Sequence, residues 1–133
     1  LVGSEMCIRD SKMPFLLAIV KHIDSIGDAK IEEVLDDYIA FYQDRLSRGL
    51  QVDRSTCPYD EKMLKDRKAV QRNMLTNPFE KFERKRFLYY SKDLSVISMN
   101  HALFGQMKEE DWERVRRQMR EDLRKYYDGM GGV

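Results

Sequence analysis

The sequence predicts a mainly helical domain with one small β-hairpin, a winged-helix-like arrangement extended by an additional C-terminal helix. Three observations predict it. Residues 77–100, NPFEKFERKRFLYYSKDLSVISMN, place a short helix directly before two strand-like runs joined by a polar turn. Residues 14–49 read as helix, short strand, helix, and residues 108–128 carry a last amphipathic stripe.

Each element has a local cause. Residues 1–11, LVGSEMCIRDS, resemble, residue for residue, one translated frame of a transposase adapter used for sequencing libraries, and are set aside as a non-native segment. Native sequence then begins near Lys12, and the chain reads as the C-terminal fragment of a larger protein; the alternative is a natural amino-terminal tail. Pro14 opens the first helix, Leu16, Ile19, Val20, Ile23 and Ile26 form its buried stripe, and Gly27 stops it. Ala29 to Ile31 is a candidate short strand. Val34, Leu35, Tyr38, Phe41, Tyr42 and Leu46 stripe a second helix ended by Gly49. Gln51 to Asp60 reads as a loop, and a third helix runs from about Glu61 to Leu75 with Leu64, Val70 and Met74 inward.

The decisive stretch follows. Asn77 is an expected N-cap, Pro78 suits the first helical position, and Phe79 and Phe82 share one side, leaving Lys81, Arg84 and Lys85 on the other. Phe87 to Tyr90 and Ser95 to Met99 form the hairpin across Ser91-Lys92-Asp93, with Phe87 inward and Arg86 structural. The expected core joins Phe79, Phe82, Leu88, Tyr90, Val96 or Ile97, and Leu103 to Ile19, Ile23, Leu35 and Tyr38. Asn100 caps a short turn carrying Leu103, Phe104 and Met107. Trp112, Val115, Met119, Leu123 and Tyr126 stripe the last helix, with exposed pairs such as Glu113 with Arg117 and Glu121 with Lys125. Residues 12–128 form the domain, and the glycines over 129–133 mark a frayed tail.

Composition narrows the chemistry. Without the adapter-like segment 122 residues remain, enough for one domain, with 23 basic and 21 acidic side chains and Cys57 as the only cysteine. One cysteine and two isolated histidines, His22 and His101, make neither an intramolecular disulfide nor a zinc site. The apolar run Phe15 to Val20 is too short to span a bilayer, so a cytoplasmic protein without membrane contact is expected. No phosphate-cradling glycine motif, nucleophile elbow or His-Glu-x-x-His motif occurs. The chain is therefore expected to be non-catalytic, with no cofactor of its own. Asp36-Asp37 and Glu109-Glu110 are read as solvated helix faces, His101 as a surface or capping residue, and Cys57 as a loop residue.

Charge is unevenly distributed. Residues 28–53 hold seven acidic and three basic side chains, whereas residues 65–92 hold nine basic and three acidic. Residues 108–128 balance at seven of each. Lys81, Arg84 and Lys85 on the short helix, with Lys92 at the hairpin tip, are therefore the candidate nucleic-acid-binding residues, because lysines and arginines neutralise phosphates. The alternative is that these cations only solubilise one side of a protein-docking or structural module.

Three segments carry a resemblance: KMPFLLAIVKHID, FYQDRLSRGLQVDRSTCPY and LKDRKAVQRNMLTNPFEKFERKRFLYYSKDLSVISMNHALF. Together they resemble the carboxy-terminal region of bacterial superfamily 2 DEAD/DEAH-box helicases, often described as restriction-type helicase subunits. The likeness covers nearly all of residues 12–128. It implies a parent protein that translocates on DNA or RNA using ATP and Mg, in the setting of defence against foreign DNA, with its upstream helicase domains as partners of this segment. The motor motifs lie outside the region of likeness: the chain has no Walker-type lysine loop and no DEAD or DEAH box.

Overall fold

The computed structural model describes residues 2–50, 52 and 59–133, with side chains from Lys12 onward. The expectations for Cys57, Pro58 and most of the 51–60 loop lie outside the described residues, as does the side-chain packing of residues 1–11. The protein is mainly helical with a small three-stranded antiparallel sheet. In chain order the elements are α1 (Val2–His22), β1 (Asp28–Lys30), α2 (Ile31–Ser47), α3 (Glu61–Leu64), α4 (Arg67–Thr76), α5 (Pro78–Arg84), β2 (Leu88–Ser91), β3 (Val96–Met99), α6 (His101–Gln106) and α7 (Glu109–Tyr127). A 3-10 turn, Asp128–Met130, follows.

The first helix differs from expectation at both ends. It begins at Val2, so Pro14 lies inside it rather than opening it. Proline's fixed φ is itself helical, and what the ring removes is one backbone hydrogen bond. At the other end the helix stops at His22, five residues before Gly27. Asp24 Oδ1 accepts the amides of Ile26 at 3.0 Å and Asp28 at 2.9 Å, which folds the chain into a turn and leaves Ile26 65 % exposed rather than in the stripe. Gly27 serves that turn with φ +91°, and a Cβ there would stand 3.2 Å from the Phe104 ring.

Helix α1 is central and packs on two sides, which is why a single stripe misdescribes it. Phe15, Ala18 and Ile19 enter the main core with Val34, Leu35, Tyr38 and Tyr42 of α2, while Leu16 is only half-buried. Met13 and Leu17 enter a second cluster with Met119, Leu123 and Tyr127 of α7. Phe15 is the keystone of the main core: its ring lies 6.5 Å from Tyr38, 6.4 Å from Phe79 and 6.1 Å from Phe82.

Strand β3 is the middle of the sheet, in the order β1-β3-β2. Ile97 stands opposite both Ala29 and Tyr90, and Leu88 opposite Met99, so these side chains form the inner face. Alternation then turns Phe87 and Tyr89 outward; Phe87, expected inward, is 44 % exposed. Leu103 is half-buried and lies outside both core clusters, also contrary to expectation.

The remaining boundaries follow from capping. The helix expected over 61–75 is two helices, because Asp60 accepts the Met63 amide at 2.8 Å and Asp66 the Ala69 amide at 3.1 Å, each starting its own element. Leu64, Val70 and Met74 are buried as expected. Asn77 makes no N-cap bond; its Nδ2 donates back to the Asn73 carbonyl, closing α4 instead of opening α5. Helix α2 ends in a Schellman motif, Gly49 N to Leu46 O and Leu50 N to Arg45 O. On α7 the pairs are Glu113 with Arg116 and Glu121 with Arg124, at i, i+3 rather than i, i+4.

The C-terminal segment is held rather than frayed. Arg45, 1 % exposed, donates to the Gly132 carbonyl at 2.6 Å and the Met130 carbonyl at 2.9 Å. Tyr127 donates to the Val52 carbonyl at 2.8 Å. Among the described residues no helix is long and apolar enough to cross a membrane.

Candidate nucleic-acid interface

Helix α5 is oriented by its apolar side. Pro78 and Phe79 are buried, Phe82 packs on Phe15, and Phe79 lies 6.3 Å from the Tyr90 ring. With that side fixed against the core and β2, Lys81, Arg84 and Lys85 are exposed, as is Lys92 in the hairpin loop. The structure therefore puts all four expected residues in solvent.

They differ in availability. Arg84 is held by its own helix, Nε to Glu80 Oε1 at 3.2 Å and NH2 to Glu80 Oε2 at 2.9 Å. Lys81, Lys85 and Lys92 have no ion pair among the described residues. Elsewhere in the basic block, Lys65 pairs with Glu61, and Arg67 pairs with Glu32 and Asp36 at 2.9 Å each. Burial pulls the Arg67 guanidinium down, but its hydrogen bonds to Glu32 and Asp36 prevail and hold it above its ordinary range. Lys68 and Arg72 share the exposed side of α4 at i, i+4 and carry no ion pair among the described residues.

The corner from α5 into β2 is built with unusual backbone. Arg86 has φ +62°, the left-handed region, and closes α5 in a Schellman motif: Arg86 N bonds Glu83 O, and Phe87 N bonds Phe82 O. Its carbonyl accepts Asn100 Nδ2 at 3.0 Å and Tyr89 OH at 3.3 Å. The expected structural role of Arg86 thus belongs to its backbone, while its side chain is exposed. That conformation favours glycine, so a long cation stands where the fold alone would prefer none.

Sequence reasoning missed two residues here. Phe87 and Tyr89 are 44 % and 43 % exposed beside this corner. The run Phe-Leu-Tyr-Tyr shows four strand-forming side chains but not which alternate pair faces the core. Leu94, 73 % exposed, adds an apolar tip to the hairpin.

The acidic pair read as a solvated face is engaged: Asp36 binds Arg67, and Asp37 binds His22 Nε2 at 2.7 Å and Lys21 at 3.2 Å. No group of three or more potential metal-ligating side chains occurs among the described residues. His101 is exposed at the start of α6, where Asn100 Oδ1 accepts the Leu103 amide at 3.2 Å.

No family model, curated protein or solved structure matches this chain.

Proposed function

We propose that the chain is a winged-helix-like accessory module that contacts DNA or RNA through Lys81, Lys85 and Lys92, with Arg84 joining them once released from Glu80, within a larger helicase-like protein. ATP and Mg belong to the motor of that parent. The observation that carries this reading is three exposed lysines without ion pairs among the described residues, Lys81 on the outer side of α5, Lys85 at its C-terminal cap and Lys92 in the hairpin turn, while Lys65, Arg67 and Arg84 are matched by carboxylates. The order helix-strand-helix, further helices, hairpin, with β1 completing the sheet against β3, supports the winged-helix likeness.

Fluorescence anisotropy with labelled duplex DNA, single-stranded DNA and RNA at several salt concentrations tests it. Replacing Lys81, Arg84, Lys85 and Lys92 with alanine should weaken binding and reduce the salt slope by up to about 0.9 per lost phosphate contact. Wild-type binding weaker than millimolar at low salt, or an unchanged slope in the variant, would refute the reading.

A second reading, docking onto the upstream helicase domains, is favoured by a cleft of about 480 Å³ between α1, α2 and α7. Leu17, Ala18 and Phe41 line it, with Lys21, Arg116 and Arg120 also around it. Binding of separately produced upstream domains that is lost in Arg120→Glu would support docking.

A further inference from the structure

Phe87 and Tyr89 project from the same side of one strand, away from the core that holds Leu88 and Tyr90. Phe87 precedes β2, yet its carbonyl still accepts the Asn100 amide at 2.9 Å, so the ladder includes it and fixes its direction. Neither ring packs on another aromatic ring among the described residues. Lys85 and Arg86 immediately precede this pair and Lys92 follows it, all exposed and without ion pairs among the described residues.

We propose that Phe87 and Tyr89 form a stacking platform for the bases of single-stranded nucleic acid, with Lys85, Arg86 and Lys92 holding the adjoining phosphates. The proposal rests on the nucleic-acid reading above and adds to it the strand state of the ligand. Aromatic faces flanked by cations are what an unpaired strand requires, since every base offers a π-face and every nucleotide a phosphate.

Spacing decides against duplex as the ligand of this pair. Residues two apart on a strand are separated by about 6.8 Å. Consecutive bases within a duplex strand rise only about 3.4 Å and have their faces sealed by their neighbours. Two rings at the wider spacing receive bases only from a strand whose bases have separated. Among the described strand residues one carboxylate shares the outer face: Asp28, two strands away from Tyr89 and about 10 Å distant by strand spacing. It accepts the Ser98 hydroxyl at 2.6 Å. It lies across the sheet from the lysines and sets a limit to the platform on that side.

The test uses the 133-residue chain with a labelled oligothymidine of about 15 nucleotides and a duplex of about 15 base pairs, titrated by anisotropy at several salt concentrations. Phe87→Leu with Tyr89→Leu keeps the apolar bulk and removes the rings. It should weaken oligothymidine binding between about 5-fold and 100-fold while leaving the salt slope and duplex binding unchanged. The lysine variant should instead lower both affinities and flatten both slopes. Tyr89→Trp, in a Trp112→Phe background, should retain affinity and show indole fluorescence quenched by oligothymidine, a readout independent of the leucine variant's folding.

Equal oligothymidine affinity in the leucine variant, an equal loss on duplex, or an unquenched indole would overturn the stacking proposal while leaving lysine-dependent binding standing. Wild-type protein that binds neither ligand, or that uses this face only for a protein, would overturn both.

Discussion

Arg45 and Tyr127 meet face to face, the guanidinium carbon 3.8 Å from the ring centroid, although one lies in α2 and the other ends α7. The same guanidinium donates to the carbonyls of Met130 and Gly132, so one buried cation fastens the C-terminal segment to the second helix. Arg45→Met should lower unfolding free energy by about 2–4 kcal/mol, since two carbonyls lose a charged donor and the ring its cation. Arg45→Lys should recover only part, because one ammonium does not reproduce a planar fork. Urea denaturation followed by circular dichroism measures both; a loss below about 0.5 kcal/mol in Arg45→Met would contradict the assignment.

Tyr59 fastens the chain beyond the 51–58 segment to the core. Its hydroxyl lies 2.7 Å from Tyr38 OH and donates to Asn73 Oδ1 at 2.5 Å. Tyr59→Phe removes these bonds without removing the ring, and should cost about 1–2 kcal/mol in the same denaturation experiment.

Asp24 predicts a pH dependence. The Asp28 amide, against a smaller opposing desolvation and together with the Ile26 amide, holds its carboxyl below the ordinary range. A group depressed in the folded state contributes stability above its unfolded value of about 3.9 and loses it as pH falls through the folded value. Asp24→Asn retains the acceptor oxygen but not the charge. Wild type should therefore be the more stable at pH 7, and the difference should shrink below about pH 4. A difference that grows on acidification would show that the sign is wrong.

Arg86 sits at φ +62°, where a side chain costs about 1–2 kcal/mol and glycine's greater unfolded-state freedom returns part of that. Arg86→Gly should raise stability by up to about 1 kcal/mol and, on the nucleic-acid reading, weaken binding. Paired denaturation and anisotropy measurements separate the two effects. A less stable Arg86→Gly protein would mean that the side chain itself holds the corner.

Elements with a single apolar face are legible in the sequence itself. Helix α2 declares itself through Val34, Leu35, Tyr38 and Tyr42, and the hairpin through its β-branched and aromatic runs, because each packs one side on one neighbour. Helix α1 departs from the single stripe because it packs on two fronts, so no single period describes Phe15, Leu17 and Ile19 together. Asp24, Asp60 and Asp66 cut or ended helices through side-chain bonds of a few residues' reach, a signal present in the sequence but easily outweighed by a neighbouring glycine or an apolar stripe. For the candidate interface, charge alone singles out Lys81, Lys85 and Lys92, and all three are exposed. What charge did not show was the capture of Arg84 by Glu80, or the outward turn of Phe87 and Tyr89, which depends on strand register. The role of Arg45 was invisible because its partners are backbone carbonyls eighty-five or more residues away.

The position of β3 between two edge strands sets an order of events during synthesis. Strand β1 emerges early, yet the strand it pairs with spans residues 96–99, so Asp28 waits seventy residues for Ser98. A nascent chain that has reached α5 contains the helices around Phe15, but of the bonds at β1 it can make only the local ones between Asp24 and Asp28 and none to β3. Closing so long a loop carries an entropic cost that the helical contacts have already reduced by the time the hairpin arrives. The hairpin, which supplies the middle strand, is thus the piece whose arrival completes the sheet, and lesions that slow its turn at Lys92–Ser95 should delay closure of that sheet.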